Sequence, residues 1–155
     1  MSGVNHYRFR SVWTVEASPD EVFTVLRDLG GYPAWWKEVK EARKLDDDRF
    51  VLRVKSLLPY YLEFVSERAR DEPDTGVLEA RLIGDLDGFS RWTITASGDK
   101  ARIQFDEEVF TRRRSLNVLA PVARPAFKLN HTLMMRHGEA GLRTFLAGLR
   151  FGRAR

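Results

Sequence analysis

The sequence predicts an α+β fold: a curved antiparallel sheet of about seven strands around a long C-terminal helix, with two short helices after the first strand. Three observations predict it. Residues 39–111 alternate apolar and polar side chains with period two, and turn residues interrupt them at short intervals. Such short spacings suit antiparallel meander connections rather than helical crossovers. Residues 126–149 place apolar side chains at three- and four-residue steps, with glycine as the one helix-weakening residue type. Between the first strand and the sheet lies a capped helix start, Ser18-Pro19-Asp20-Glu21.

In order, Tyr7–Glu16 reads as a strand, with Tyr7, Phe9, Ser11, Trp13 and Val15 on one face and Val12 out of step. Val22, Phe23, Val25, Leu26 and Leu29 follow at helical spacing, and Gly30-Gly31 ends that helix. Tyr32-Pro33-Ala34-Trp35-Trp36 reads as a second helical turn. Six strands follow, at Val39–Asp46, Arg49–Ser56, Tyr61–Arg70, Val77–Asp85, Gly88–Ser97 and Ala101–Thr111. Turn chemistry separates them, at Asp46-Asp47-Asp48, Leu58-Pro59, Pro73-Asp74-Thr75-Gly76, Asp87-Gly88 and Ser97-Gly98-Asp99. Leu62 and Phe64 oppose Glu63 and Glu67, and Trp92 and Ile94 oppose Arg91, Thr93 and Thr95, so one face of the sheet is apolar and the other wet. Pro121 and Pro125 are expected to set Ser115–Arg124 apart as a lead-in or short helix. The long helix then runs from Ala126 to Leu149 with a stripe of Phe127, His131, Met134 or Met135, Gly138, Leu142, Phe145 and Leu149.

The chain of 155 residues reads as one domain, 1–155, with 43% apolar and 31% charged residues, a globular balance. It has no cysteine, which excludes a disulfide scaffold, a cysteine zinc site and a thiol nucleophile. No apolar run approaches the ~20 residues of a membrane span, and the start MSGVNHYRFR lacks the apolar core of a signal peptide, so a cytoplasmic location is expected. The net charge of +4 is uneven: residues 111–155 carry +9 and the first 110 carry −5. The basic stretch is either a solvated helix face with a basic end or a contact for an anionic membrane surface or acidic partner. The Arg112-Arg113-Arg114 triplet alone does not make a nucleic-acid site.

The long helix must bury its stripe, and the apolar face of the sheet is the large partner available. A helix gripped by a twisted, coiled sheet meets it at its ends more readily than in its middle, so a hollow is expected between them. The segment SPDEVFTVLRDLGGYPAWW resembles the opening of the START-like, or SRPBCC, superfamily, where polyketide cyclases/dehydrases and lipid-transfer proteins sit. GDLDGFSRWTI and PVARPAFKLNHTLMMRHGEAGLRTFLAGL resemble bacterial cyclase/dehydrase-like members. The resemblance implies a helix-grip fold with a deep cavity that binds lipids, polyketides, sterols or other apolar molecules, and in some members ring closure with loss of water. Fold alone does not fix which.

No phosphate loop, HExxH or GxSxG is present. His131 and His137 are six residues apart on different helix faces, so no metal site and no cofactor are expected. His131 lies on the apolar stripe and reads either as a general base or hydrogen-bond anchor, or as a wall histidine satisfied by one hydrogen bond. Glu107 shares parity with Ile103, Phe105 and Val109 and should face inward beside it, unless a bulge after Phe105 turns it out. Together they are the candidate catalytic residues. Ser90, Trp92, Phe64 and Phe105 on the sheet, and Phe127, Met134 and Met135 on the helix, are candidate ligand contacts or ordinary core. Trp36, with Trp35, sits where a lid would be, Tyr60 and Tyr61 where a mouth would be, and Asn130 reads as a flank contact. Arg81 and Arg91 fall on the wet face, so no inward arginine is evident to hold an enolate. The leading expectation is a carrier or sensor of an apolar small molecule, and the alternative is a polyketide cyclase/dehydrase. A third is docking on an anionic membrane or partner through the basic C-terminal portion. Monomer and homodimer both fit.

Overall fold

The structure, a computed structural model, describes residues 6–55, 59–111 and 120–153. The Arg112-Arg113-Arg114 triplet, the turn residue Leu58 and the start of the expected lead-in helix lie outside them. The predicted α+β fold forms. Strands β1 (His6–Val15), β2 (Val39–Asp46), β3 (Arg49–Val54), β4 (Leu62–Glu72), β5 (Val77–Gly84), β6 (Leu86–Ser97) and β7 (Lys100–Thr111) make one antiparallel sheet in the order β1-β7-β6-β5-β4-β3-β2. Helix α1 (Pro19–Arg27) and a 3-10 helix (Leu29–Ala34) follow β1, and helix α2 (Ala120–Arg153) closes the chain.

Helix α1 starts where its capping box sets it. The Glu21 N–H donates to Ser18 Oγ at 3.1 Å, and Asp20 and Glu21 favour the positive helix start. Val22, Phe23 and Leu26 bury its apolar face. The second helical turn comes earlier than expected, at Leu29–Ala34, and is a 3-10 turn. Short 3-10 pieces make tight connections between longer elements. Here the Tyr32 carbonyl accepts from both Trp35 N–H and Trp36 N–H, which fixes the two tryptophans.

Strand boundaries differ from the sequence reading by one or two residues. β6 starts at Leu86 rather than Gly88, and β4 runs on to Glu72 rather than Arg70. A register shift between Arg68 and Arg70 absorbs one extra residue and lets pairing with β5 continue to Glu72 and Val77. On the wet face, directly paired residues form cross-strand ion pairs, Arg10–Asp106 and Arg91–Glu79, each at 2.6 Å.

Helix α2 corrects two expectations. It is continuous from Ala120, with Pro125 inside it. Both prolines sit in its first two turns, so Pro121 removes an N–H that has no helical partner and Pro125 removes one bond near an end. The stripe also shifts. Asn130 is buried and Leu146 joins the core, whereas Leu149 is exposed. The C-terminal half of α2 lies very close to the chain beneath it. A Cβ at Gly138 would stand 2.6 Å from the Trp36 ring, and one at Gly141 would stand 1.8 Å from the Trp35 carbonyl oxygen. Towards the N-terminal half the larger Phe127, His131 and Met134 face the sheet instead, and there the helix stands off. The space between helix and sheet therefore lies under that half rather than under the middle.

Candidate functional site

A cavity of about 140 Å³ lies between the concave face of the sheet, the end of α1 and the N-terminal half of α2. Its floor is set by parity in the strands. Phe64 and Leu62 of β4, Leu78 and Leu82 of β5, Trp92 of β6 and Phe105 of β7 all point into it. Its roof is Phe127, His131, Met134 and Met135, and Trp36 forms a wall.

The ladder is unbroken through the middle of β7. Phe9 of β1 pairs with Glu107, Glu107 with Ser90, Ser90 with Ala80 and Ala80 with Arg68. No bulge follows Phe105, so Glu107 faces inward. One row across the concave face thus carries a carboxylate, a hydroxyl, a methyl group and a guanidinium. Glu107 and Arg68 are three strand spacings apart, about 14 Å between their backbones.

His131 comes down from α2 onto the Glu107 end of this row. Its Nε2 is 3.2 Å from Glu107 Oε1, and both side chains are 12% exposed. The imidazole stacks on Phe9, with centroids 3.6 Å apart and planes 8° apart. Stacking fixes the ring plane and the carboxylate fixes which nitrogen faces it. Nδ1 has no hydrogen-bond partner among the described residues. An imidazole with one nitrogen oriented by a carboxylate and the other available is equipped to take or give a proton.

Tyr32 sits under the tryptophan cluster. Its Oη donates to the Leu26 carbonyl at 2.6 Å and accepts from Trp92 Nε1 at 3.1 Å. Burial pushes the phenol well above its ordinary pKa, so it stays neutral. With both roles used, Tyr32 is a structural strut in the cavity wall. Trp36 Nε1 donates to the Met134 carbonyl at 2.9 Å, which ties the wall to the roof.

All ten of the candidate residues, namely Trp36, Phe64, Ser90, Trp92, Phe105, Glu107, Phe127, His131, Met134 and Met135, line this one cavity. Trp35 and Trp36 are locked beneath α2 rather than free as a lid. Tyr60 and Tyr61 do not line the cavity, and Tyr61 instead lies under the Arg53 guanidinium at 4.3 Å. Asn130 is a lining residue, not a flank contact. The sequence reading missed Ser66 and Arg68, although the parity of Leu62 and Phe64 extends to both. It also missed Arg27, which reaches the cavity from the last turn of α1. Among the described residues, no group of three or more His, Cys, Asp or Glu side chains converges to hold a metal ion.

The architecture is shared with solved proteins. A START superfamily protein from Mycobacterium smegmatis is 21% identical, with 92% of this chain and 98% of that chain covered at a TM-score of 0.72. The Zhui aromatase/cyclase from Streptomyces sp. R1128 is 16% identical over 97% and 96% of the two chains, with a TM-score of 0.73. Norcoclaurine synthase from Thalictrum flavum is 11% identical over 91% and 93%, with a TM-score of 0.63. At these identities the likeness is one of fold. No curated protein matches the chain by sequence. The family model described as polyketide cyclase/dehydrase and lipid transport matches residues 6–149. With nearly its whole length matched, the chain belongs to the polyketide cyclase/dehydrase and lipid transport family.

Proposed function

We propose that this protein binds an apolar small molecule, a lipid, a polyketide or a similar compound, in the cavity between the sheet and α2. The observation that carries the reading is the composition of that cavity. Aromatic and aliphatic side chains form its floor, wall and roof, and a few polar groups converge at defined places. Burying apolar ligand surface there supplies the driving force, and the Glu107–His131 pair gives a fixed polar contact. An apolar cavity of roughly 150 Å³ takes up benzene, so one ring or a stretch of chain fits without rearrangement. Larger guests extend towards the arginine end. The test is native mass spectrometry of the protein purified from its native host. Retention of a stoichiometric apolar compound is the expected result, and clean apo protein that no apolar dye enters overturns the reading.

A second reading, a polyketide cyclase/dehydrase, is favoured by the His131 Nδ1, which has no hydrogen-bond partner among the described residues. In that reaction His131 takes a proton from a carbon flanked by two carbonyls. The resulting carbanion adds to a ketone carbon of the same chain and closes the ring, the alkoxide takes the proton back from the imidazolium, and loss of water leaves a carbon–carbon double bond in the ring. Glu107 stabilises the imidazolium formed in the first step. His131→Ala is then expected to lower turnover of an aromatic polyketide precursor by about 10²-fold or more with folding retained. Unchanged turnover removes this role.

A further inference from the structure

The arginine end of the cavity carries unbalanced charge. Asp71 Oδ2 accepts from Arg68 Nη1 at 2.8 Å and forms an ion pair with Arg27 Nε at 2.7 Å. One carboxylate therefore serves two guanidinium groups. The other cavity arginine, Arg70, is neutralised by Glu72 through Nε and Nη2, and Glu79 is held by Arg91. The neighbouring Asp28 does not line the cavity, and its carboxylate turns over Gly31. At Asp71 itself, two positive charges meet one negative charge. This is also the wet end: the Arg27 and Arg68 side chains are 53% and 25% exposed, against 12% for Glu107 and His131. The cations lie at the more exposed end of the cavity and the imidazole at the more buried one.

Asp71 is turned inward by the β4 register shift, and it pairs across with the cavity residue Leu78. It orients the two guanidinium groups; Arg68 Nη2 donates to the Arg27 carbonyl at 3.3 Å, and the remaining N–H donors of both are not taken up by Asp71. Ser66, one inward position from Arg68 on β4, adds a hydroxyl to the same wall. Several donors around a surplus positive charge, at the rim of an apolar cavity, are what an anionic head group on an apolar body requires.

We propose that the cavity selects an amphipathic acid, with its apolar body between Trp36, Phe64 and Trp92 and its anionic head, a carboxylate or phosphate monoester, held at the mouth by Arg68 and Arg27. The inference rests on the ligand-binding reading above and names the ligand class. The body enters first, towards His131, and the head stays at the solvent end, where Arg27 and Arg68 replace part of its hydration. A neutral ligand of the same shape forgoes the charge-assisted hydrogen bonds.

The test compares a dansylated long-chain fatty acid, its methyl ester and the corresponding alkyl phosphate by fluorescence titration. Charge-assisted hydrogen bonds predict that at least one of the two anions binds about tenfold or more tightly than the ester at low salt. Arg68→Gln brings anion affinity down to that of the ester and leaves the ester unchanged. Arg27→Ala, at a half-exposed site that folding tolerates, gives a smaller loss of the same kind. Preference for both anions, or for one, supports the proposal and identifies the head. Equal binding of all three probes, or a preference that survives in both variants, overturns it while leaving ligand binding intact. If no probe binds, this inference and the ligand-binding reading fail together.

Discussion

Tyr32 shows how one side chain carries several of the constraints on the cavity. Its hydroxyl closes the end of α1 through the Leu26 carbonyl and anchors the Trp92 indole, which is part of the cavity floor. The cost of this position appears at high pH. Burial raises the folded-state pKa of the phenol above its unfolded value. Below the ordinary tyrosine pKa both states are protonated and stability is in full. As pH rises past about 10, the unfolded chain ionises and the folded one does not, so stability falls. Tyr32→Phe loses the hydrogen bonds and is less stable at pH ~8, but its further loss between pH ~8 and pH ~11 is smaller than that of the parent. Urea denaturation of both proteins at the two pH values measures this. An equal loss in the two proteins assigns the alkaline effect elsewhere. At this scale the sequence is informative wherever the chain keeps period two. The alternation that faces Phe105 inward also faces Glu107, and the alternation of Leu62 and Phe64 reaches Ser66 and Arg68. Asp71 is different. Counting by twos from Leu62 faces it outward, and the inserted residue near Arg68 reverses it.

Helix α2 has two jobs along its length, and its composition divides accordingly. The C-terminal half is pressed against the tryptophan segment, where Gly138 and Gly141 remove the side chains that would hold it off. His137 adds a clasp, with Nδ1 2.5 Å from Glu38 Oε2 on a buried carboxylate. The N-terminal half has Phe127, His131 and Met134 at the equivalent steps and spans the cavity. Gly141→Ala drives a methyl group into the Trp35 carbonyl, a backbone atom that cannot swing away. The expected cost is about 3 kcal/mol, from overpacking. Gly148 lies in the same helix with open space around it, so Gly148→Ala is expected to stabilise by up to about 1 kcal/mol. Thermal denaturation of the two variants checks the contrast, and similar effects at both sites contradict the close approach. The existence of α2 is legible from its 3.6-residue period. Its start is not, because proline signals a break without showing that the first turns tolerate it. The role of its glycines was equally hidden, since a glycine in a helix looks the same whether it faces solvent or a carbonyl oxygen.

The whole molecule is a curved sheet that grips one helix tightly at one end and loosely at the other. That unequal grip produces the cavity, and it gives the cavity direction, from a more buried imidazole–carboxylate end to a more exposed arginine end. The order of elements and the apolar face of the sheet were readable because each follows from local periodicity. The position of the space between helix and sheet was not, because it depends on contacts between residues about a hundred positions apart, such as Trp36 with Met134 and with Gly138. No helix among the described residues is long and apolar enough to cross a membrane. We propose that the space under the N-terminal half of α2 receives a guest. Ala80 lies on the cavity floor between Ser90 and Arg68, so Ala80→Phe fills it from the middle. The most direct measurement is calorimetric titration of both proteins with a neutral single-ring guest, toluene, which matches a cavity of about 140 Å³. Saturable binding to the parent protein is expected, with at least about tenfold weaker binding to a folded Ala80→Phe variant, because a guest is displaced from an apolar site. Equal binding to the two proteins, or no saturable binding to either, would contradict the proposal.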